Sequence, residues 1–378
     1  MADAERELES LFELAQSPGY CKYALEWKQG GGKIWGVLDS YVPEEVLLAA
    51  GILPWRMRGS RRPFPNLALQ HRASTCNPYY THVIQSVLEG ELDFLDGIAA
   101  TDWEIDGTRC YDLLEYLGKP GLRHILHMPH IKTDRGLAFF IEEIKKFIGA
   151  VENFSGKEIT ERSLRQAAQQ VNTVRALLMR LYSLRQRQQV PVSGTECLNI
   201  CLAGMTMARE DFIRKMESLF PYLETRPTSG NSAGPRLLVL SDFLDDGAFL
   251  DLVEKAGAVV VMDDLDTASR YFWGATDINS SDITTAIANR YLNRVPCPRM
   301  DFWEEEIDQV IAWAASFKVD GVLLLYLPWC YSRQFRIPFW IQRMKEARIP
   351  FTALEREYCL FHPAQLKTRV EAFIESLQ

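Results

Sequence analysis

The feature that most constrains this chain is an alternation of apolar, strand-like runs with amphipathic, helix-like runs, which occurs twice. The first set of runs lies between residues 33 and 130, and the second lies between residues 236 and 378. A strand followed by a helix and then by another strand is typical of a parallel sheet with helices on both faces. The pattern therefore predicts an α/β protein with two doubly wound parallel-sheet lobes.

A helical region separates the two alternating parts. Apolar residues recur at helical spacing in three long runs, at 136–156, 159–188 and 197–220. Helical spacing also covers residues 3–29, and PTSGNSAGP at 227–235 is typical of a linker. We therefore predict four parts, which are an N-terminal helical arm (1–30), a first α/β lobe (31–136), a helical segment (137–232) and a second α/β lobe (233–378).

Composition limits the classes of function. A chain of 378 residues is long enough for two or three domains with their own cores, and no apolar run approaches the ~20 residues of a membrane-spanning helix. The acidic, amphipathic start MADAERELESLFELA does not have the order of a signal peptide, which predicts the cytoplasm. A net charge of −8 argues against nucleic acid as a partner. We expect a soluble protein that binds neither nucleic acid nor a membrane.

Polar residues follow the predicted strands of both lobes. Ligand sites in such folds lie at the carboxyl edge of the sheet, often at a topological switch point. The polar strand ends are Asp39 and Ser40, Arg56 to Ser60, Thr101 to Asp106, Ser241 and Asp242, Asp263 to Asp266, Trp329 and Cys330, and Glu355 to Tyr358. Because both lobes present such ends, we predict a ligand in the cleft between the lobes.

Two of the eight cysteines differ in position from the others. The sequence contains no dinucleotide fingerprint, phosphate loop or nucleophile elbow. Cys197 and Cys201, four residues apart on an apolar helix face, are expected in the core. Cys76 and Cys330 each precede a predicted helix, one in each lobe. A helix N-terminus favours a thiolate, so this pair indicates either a redox or iron–sulfur role or two unrelated buried thiols.

Five segments, in order along nearly the whole chain, resemble one family. They are SYVPEEVLLAAGILPWRMRGS, LDFLDGIAATDWEIDGTR, VVVMDDLDTASRYF, VDGVLLLYLPWC and QLKTRVEAFIE. Together they resemble the subunits of 2-hydroxyacyl-CoA dehydratases and benzoyl-CoA reductases. The resemblance implies an oxygen-sensitive enzyme of two homologous subunits, in which the two α/β lobes hold a [4Fe–4S] cluster and the substrate between them.

The resemblance also implies a mechanism and partners. A separate ATP-hydrolysing iron–sulfur activator supplies a low-potential electron, which the cluster passes to the carbonyl of a CoA thioester. The resulting ketyl radical lets water leave a 2-hydroxyacyl chain, or lets an aromatic ring be reduced. Iron–sulfur potentials extend to roughly −700 mV, so the expected chemistry is accessible to such a cluster.

Five positions follow from the resemblance. Cys76 matches the first cluster cysteine and Cys330 the third. Ser40 matches a position that faces the substrate in catalytic subunits, with a hydroxyl suited to donate a hydrogen bond to the cluster or to the thioester oxygen. Ile105 occupies the position of the second cluster cysteine in this chain. Cys110, five residues later, is a displaced substitute that could serve only if its helix starts later than the sequence indicates.

Three functions stay open at this point. Dehydration of a 2-hydroxyacyl-CoA comes first, because QLKTRVEAFIE is closer to the dehydratase form of the C-terminal signature. Reduction of benzoyl-CoA or another aromatic acyl-CoA is the alternative. A cluster-free structural or substrate-binding subunit is the third, and Ile105 favours it because an aliphatic side chain cannot bind iron.

Overall fold

The computed structural model describes residues 2–16, 22–227 and 233–378, and it begins with two helices. These are α1 (Ala2–Gln16) and α2 (Lys22–Gln29). The predicted helical run 3–29 is thus two helices, and residues 17–21 of that run lie outside the described residues. The linker predicted at 227–235 likewise includes residues 228–232, which are outside the described residues.

The first lobe is a four-stranded parallel sheet. Its elements are β1 (Lys33–Val37), α3 (Glu44–Ala49), β2 (Ile52–Arg56), α4 (Pro78–Leu88), β3 (Gly97–Thr101), α5 (Ile105–Tyr116) and β4 (Leu122–Leu126), with a 3-10 turn at Ala68–Gln70. The strand order is β2-β1-β3-β4, and every pairing is parallel. Every residue of β2 and β3 is buried, as expected for strands covered on both faces.

Four helices connect the lobes. They are α6 (Asp134–Ser155), α7 (Glu161–Ser183), α8 (Gly194–Gly204) and α9 (Arg209–Thr225), with a 3-10 turn at Leu184–Gln186. The single helix predicted over 197–220 is wrong, because the chain breaks at 205–208. There the Thr206 hydroxyl donates to the carbonyls of Leu202 and Ala203, and the buried Arg209 guanidinium donates to those of Gly204 and Met207. These side chains satisfy the carbonyls that the broken helix exposes.

The second lobe repeats the topology of the first. Its elements are β5 (Arg236–Ser241), α10 (Ala248–Lys255), β6 (Val259–Leu265), α11 (Ser269–Phe272), α12 (Ile283–Asn293), α13 (Glu304–Ser316), β7 (Gly321–Tyr326), α14 (Tyr331–Gln334), α15 (Ile337–Glu346), β8 (Phe351–Glu355) and α16 (Pro363–Glu375). The strand order is β6-β5-β7-β8, again all parallel. The two predicted α/β lobes are therefore confirmed.

One prediction about the second lobe is wrong. The sequence pattern predicts helix from β6 to about residue 316, but loops at 273–282 and 294–303 divide this stretch into α11, α12 and α13. Pro296 and Pro298 lie in the second loop, where proline removes a backbone donor and excludes helix from its surroundings. The loop brings residues 294–303 to the carboxyl edges of both sheets.

Buried ion pairs fix the first lobe to the helical segment. The adjacent glutamates at the start of α3 pair with arginines of α9 and α7, since Glu44 binds Arg209 and Glu45 lies 2.9 Å from Arg175. Tyr291 of the second lobe donates to Glu45 across 2.8 Å. The two glutamates of the YVPEE segment thus connect three parts of the chain. Among the described residues, no helix has the length and apolar character needed to cross a membrane.

Candidate functional site

The carboxyl edges of the two sheets face each other. In each sheet the switch point lies between its first and third strands, β1 and β3 in the first lobe and β5 and β7 in the second. Ser40 and Glu104 follow β1 and β3, while Asp242 and Cys330 follow β5 and β7. All four are buried. The strand ends at which the sequence predicts a site therefore form a junction between the lobes, built from the loops that follow these four strands.

Ser40 is held by the second lobe. Its hydroxyl donates to Asp266, and Arg294 donates from Nη2 to the same hydroxyl across 2.7 Å and from Nη1 to the Ser40 carbonyl across 2.8 Å. Arg56 of β2 pairs with the other oxygen of Asp266. Burial alone would raise the pKa of Asp266, but Arg56 and Arg294 outweigh burial and leave this pKa lowered. The Ser40 hydroxyl thus lies in a buried ionic contact between the lobes.

Asp39 connects the two strand ends of the first switch point. Its carboxylate accepts hydrogen bonds from the backbone of Tyr41 and from the backbone and hydroxyl of Thr101. Burial raises the pKa of Asp39 to about 6, although the hydrogen bonds oppose this shift. A cavity of about 20 Å³ lies beside Asp39, Ser40 and Arg56, and a space of this size accommodates one water molecule.

Cys330 lies at the end of the loop after β7, in contact with two charged side chains. Arg299 donates from Nη2 to Cys330 Sγ across 3.0 Å, and the thiol lies 3.7 Å from Asp242 Oδ2. Burial raises the pKa of the Cys330 thiol to about 12, although Arg299 opposes this shift. The thiol is therefore protonated at neutral pH. This sulfur is part of a buried polar group and not an isolated core thiol.

Arg299 extends the contact to the first lobe. Its Nε lies 3.0 Å from Glu104 Oε2, and its guanidinium stacks 4.7 Å from the centre of the Trp103 ring. Asn77 donates from Nδ2 to the other oxygen of Glu104 across 3.1 Å. Burial raises the pKa of Glu104 although Arg299 and Asn77 oppose it. We call Glu104, Arg299 and Cys330 the inter-lobe bridge.

Cys76 lies next to the bridge. It is half-buried and precedes Asn77, the residue that caps α4 by accepting from the backbone of Tyr79. The Asn77 backbone donates to Asp106 of α5 across 2.8 Å. The structure therefore brings the surroundings of Cys76 and Cys330 together through Asn77, Glu104 and Arg299.

Ile105 and Cys110 lie on different sides of α5. The helix begins at Ile105, whose side chain is 68 % exposed, whereas Cys110 is fully buried in the core. Five residues of helix turn a side chain by about 140° net, which agrees with this difference. Cys110 could replace the missing ligand only if the helix began later, and that condition is not met. Burial raises the pKa of the Cys110 thiol to about 12, as for a core cysteine.

The residues of the bridge do not fit a [4Fe–4S] cluster held by this chain. Such clusters are bound by cysteine thiolates, and only Cys76 and Cys330 come from the matched positions. The sulfur of Cys330 accepts a hydrogen bond from Arg299, whose guanidinium also pairs with Glu104, and the third matched position is the exposed Ile105. Among the described residues, no three His, Cys, Asp or Glu side chains form a group suited to a metal ion.

Backbone strain marks the two strand ends of the second lobe. Phe243, directly after Asp242, has φ of 52°, and Trp329, directly before Cys330, has φ of 62°. Residues other than glycine rarely adopt the left-handed region, and the cost is about 1–3 kcal/mol for each. The two conformations adjoin Asp242 and Cys330, which both lie next to Arg299.

Sequence reasoning missed the arginines of the junction. Arg294 and Arg299 lie in the loop 294–303, for which the sequence pattern predicts helix. The proline pair in VPCPRM was the available signal, because it marks a loop between two helices. The expectation that Cys197 and Cys201 are core residues is confirmed, since both are fully buried.

Comparison with known proteins identifies relatives along the full chain. The chain is 23 % identical to the (R)-phenyllactyl-CoA dehydratase beta subunit of Clostridium sporogenes, over 100 % of both chains. It is 21 % identical to the beta subunit of the (R)-2-hydroxyglutaryl-CoA dehydratase of Acidaminococcus fermentans, over 93 % of this chain and 94 % of the relative. It is 20 % identical to one of the benzoyl-CoA reductase subunits of Thauera aromatica, over 88 % of each chain.

The family assignment rests on the match of a family model to nearly the whole chain. The model for the 2-hydroxyglutaryl-CoA dehydratase D-component matches residues 39–377, which include both sheets and the junction between them. The relatives are subunits of acyl-CoA dehydratases or of a benzoyl-CoA reductase. The resemblance found in the sequence is thereby confirmed, and the chain belongs to the 2-hydroxyglutaryl-CoA dehydratase D-component family as a subunit of an acyl-CoA dehydratase-type enzyme.

Proposed function

We propose that this chain and a homologous second subunit form a cytoplasmic enzyme that dehydrates a 2-hydroxyacyl-CoA. The observation that carries the proposal is the junction itself. Ser40, Glu104, Asp242 and Cys330 follow the switch-point strands of two sheets and meet in a buried polar centre. Relatives named as beta subunits of such dehydratases support the reaction and the presence of a partner subunit.

The junction supplies cations in surroundings that exclude water. Arg56 and Arg294 flank Asp266 and Ser40, and both arginines are buried. Fixed positive groups in a dry site stabilise negative charge that develops on a substrate oxygen. The proposal assigns this role to Arg294 towards the thioester oxygen. Ser40 donates to the same oxygen after its hydroxyl leaves Asp266.

The reductive part of the proposal belongs to the assembled enzyme. The low-potential electron, the ATP-hydrolysing iron–sulfur activator and the four-iron cluster are all expected of that assembly. The residues of this chain do not fit the cluster, so we assign no step of electron transfer to them. What this chain contributes is the position and the electrostatics of the junction.

Reduction of an aromatic acyl-CoA is the second candidate. The similarity to a benzoyl-CoA reductase of Thauera aromatica favours it. Trp35, Trp55 and Trp103 lie near strand ends and could line an aromatic acyl pocket, but all three rings are buried in the core or beneath Arg299. Trp35 packs on Phe154 with ring centres 5.3 Å apart, and Trp55 packs on Phe94 at 5.1 Å. Dehydration therefore stays the first proposal.

The test is anaerobic reconstitution of the two-subunit complex with activator and ATP. A panel of 2-hydroxyacyl-CoA thioesters is followed by mass spectrometry for the loss of water, and benzoyl-CoA is followed for ring reduction. We expect enoyl-CoA from at least one 2-hydroxyacyl-CoA and no product when this chain is omitted. Ring reduction without dehydration would establish the second candidate, and turnover of neither class would refute both.

A further inference from the structure

The segments of two matched cysteines, Cys76 and Cys330, are linked by one ion pair. Cys76 adjoins Asn77, which contacts Glu104, and Glu104 directly precedes the position where the second cysteine is missing. Glu104 lies 3.0 Å from Arg299, which donates to Cys330. The guanidinium and the carboxylate therefore lie between the segments that carry Cys76 and Cys330, whereas the Ile105 side chain is exposed.

Arg299 is fixed from several sides. Besides Glu104 and Cys330, its guanidinium lies 3.5 Å from Asp242 Oδ2 and 5.2 Å from the centre of the Phe243 ring. Its carbonyl accepts a hydrogen bond from His130 across 2.9 Å. Its side chain is only 3 % exposed. The guanidinium is therefore buried in the junction with partners on several sides.

The charges of the junction also oppose a cluster. Glu104 and Asp242 are buried carboxylates that both lie within ion-pair distance of Arg299. A cluster with thiolate ligands is anionic, so replacing Arg299 by a cluster would bring a further negative charge to two buried carboxylates. Asp242 would keep Arg270 and Arg333 as partners, but Glu104 would lose its cation, and a buried charge without its partner is strongly unfavourable. The arrangement suits a cation at this position.

We propose that the Glu104–Arg299 pair replaces an iron–sulfur cluster in this chain, and that the cluster of the assembled enzyme is carried by the partner subunit. This inference rests on the proposed function only for the presence of that partner. The contacts of Cys330 agree with it, because its sulfur accepts a hydrogen bond from Arg299 and lies 3.7 Å from Asp242. Cys76 and Cys330 are then structural residues in this chain. The chain contributes the position and the electrostatics of the junction, and it holds no cluster.

The first experiment needs no variant. The full chain is purified alone under anaerobic conditions, incubated with ferrous iron, sulfide and a thiol reductant, and desalted. Iron and acid-labile sulfide are measured per chain, together with the electron paramagnetic resonance spectrum after reduction. We expect iron far below the four atoms of a cubane and no cluster signal. Four irons and four sulfides per chain would overturn the inference.

The second experiment uses the complex with the partner subunit. Complexes containing the wild-type chain or the Cys76→Ser/Cys330→Ser chain are compared, with Cys197→Ala as a control for loss of a buried thiol. We expect the same iron and sulfide content in all three. Loss of four irons from the double variant alone would overturn the inference, and the measurement on the isolated wild-type chain decides if that variant does not assemble.

The two proposals fail in different ways. Turnover of CoA thioesters by the wild-type complex tests the proposed function, whereas the iron content of this chain tests only the inference. A chain that holds a cluster in an active complex would refute the inference and leave the function. A chain without iron in a complex that turns over no thioester would leave the inference and refute the function.

Discussion

Arg299 of the second lobe donates a hydrogen bond to the sulfur of Cys330 across 3.0 Å, and the same guanidinium pairs with Glu104 of the first lobe. One cation therefore connects the carboxyl edges of both sheets. All three residues of this contact lie within the range 39–377 that matches the family model.

Replacement of Arg299 by alanine is expected to destabilise the protein by about 3–5 kcal/mol, because Glu104 is then a buried carboxylate without its cation. Urea unfolding of the isolated chain measures the loss. The exposed pair Arg109–Asp112 provides the control, since Arg109→Ala should cost no more than about 1 kcal/mol. The additional substitution Glu104→Gln should recover part of the loss. Equal effects of Arg299→Ala and Arg109→Ala would contradict the bridge.

Substitution of Ser40 by alanine removes a hydroxyl that both donates to Asp266 and accepts from Arg294. We expect a loss of about 1–3 kcal/mol in the free energy of unfolding, because two buried charged groups each lose a partner. Ser376→Ala is the comparison, since this exposed hydroxyl donates only to a local carbonyl. This substitution should change the free energy of unfolding by no more than about 0.5 kcal/mol. Ser40→Ala should also lower turnover by the assembled complex. An unchanged rate would remove Ser40 from the proposed mechanism.

His82 gives the protein a defined pH dependence. Burial lowers its pKa to about 4, although the hydrogen bond to the Ser60 carbonyl opposes this shift. The folded state therefore binds fewer protons than the unfolded state between pH 4 and about 6.5. The stabilisation is present above about pH 6.5 and is lost as the pH falls through 4, by roughly 3 kcal/mol in total.

The measurement is urea unfolding at a series of pH values for the wild-type chain and His82→Gln. The variant should lose less stability over this range, while His362→Gln, which changes an exposed histidine, should follow the wild type. Identical pH profiles for all three proteins would show that His82 does not control the acid response.

Two glycines should respond in opposite ways to alanine. A Cβ at Gly59 would lie 2.5 Å from the Cβ of His82 and 2.8 Å from the Tyr358 hydroxyl, so Gly59→Ala is expected to destabilise by about 1–3 kcal/mol. Nothing lies within 4 Å of a Cβ at Gly149 in the interior of α6, so Gly149→Ala should stabilise by about 0.5–1 kcal/mol. The midpoint of thermal unfolding should fall for Gly59→Ala and rise for Gly149→Ala. A rise for both variants would contradict the close approach at Gly59.

The amino-acid sequence by itself determined the two parallel sheets and the strand ends that carry polar residues. Strands buried on both faces are apolar over most of their length, so the runs VVVM at the start of β6 and GVLLLY in β7 are visible without a structure. Parallel strands also place all their carboxyl ends at one edge, which is why Ser40, Asp242 and Cys330 could be placed near one junction from the sequence.

Only the tertiary structure decided what occupies that junction. Glu104 and Arg299 are 195 positions apart in the sequence and belong to different lobes, so their pairing depends on how the lobes pack. The orientation of Ile105 and Cys110 depends on the residue at which α5 begins, and a shift of one position turns each side chain by about 100°. Local spacing specifies helices and strands, whereas the partners of a buried charge are chosen by the packing of distant segments.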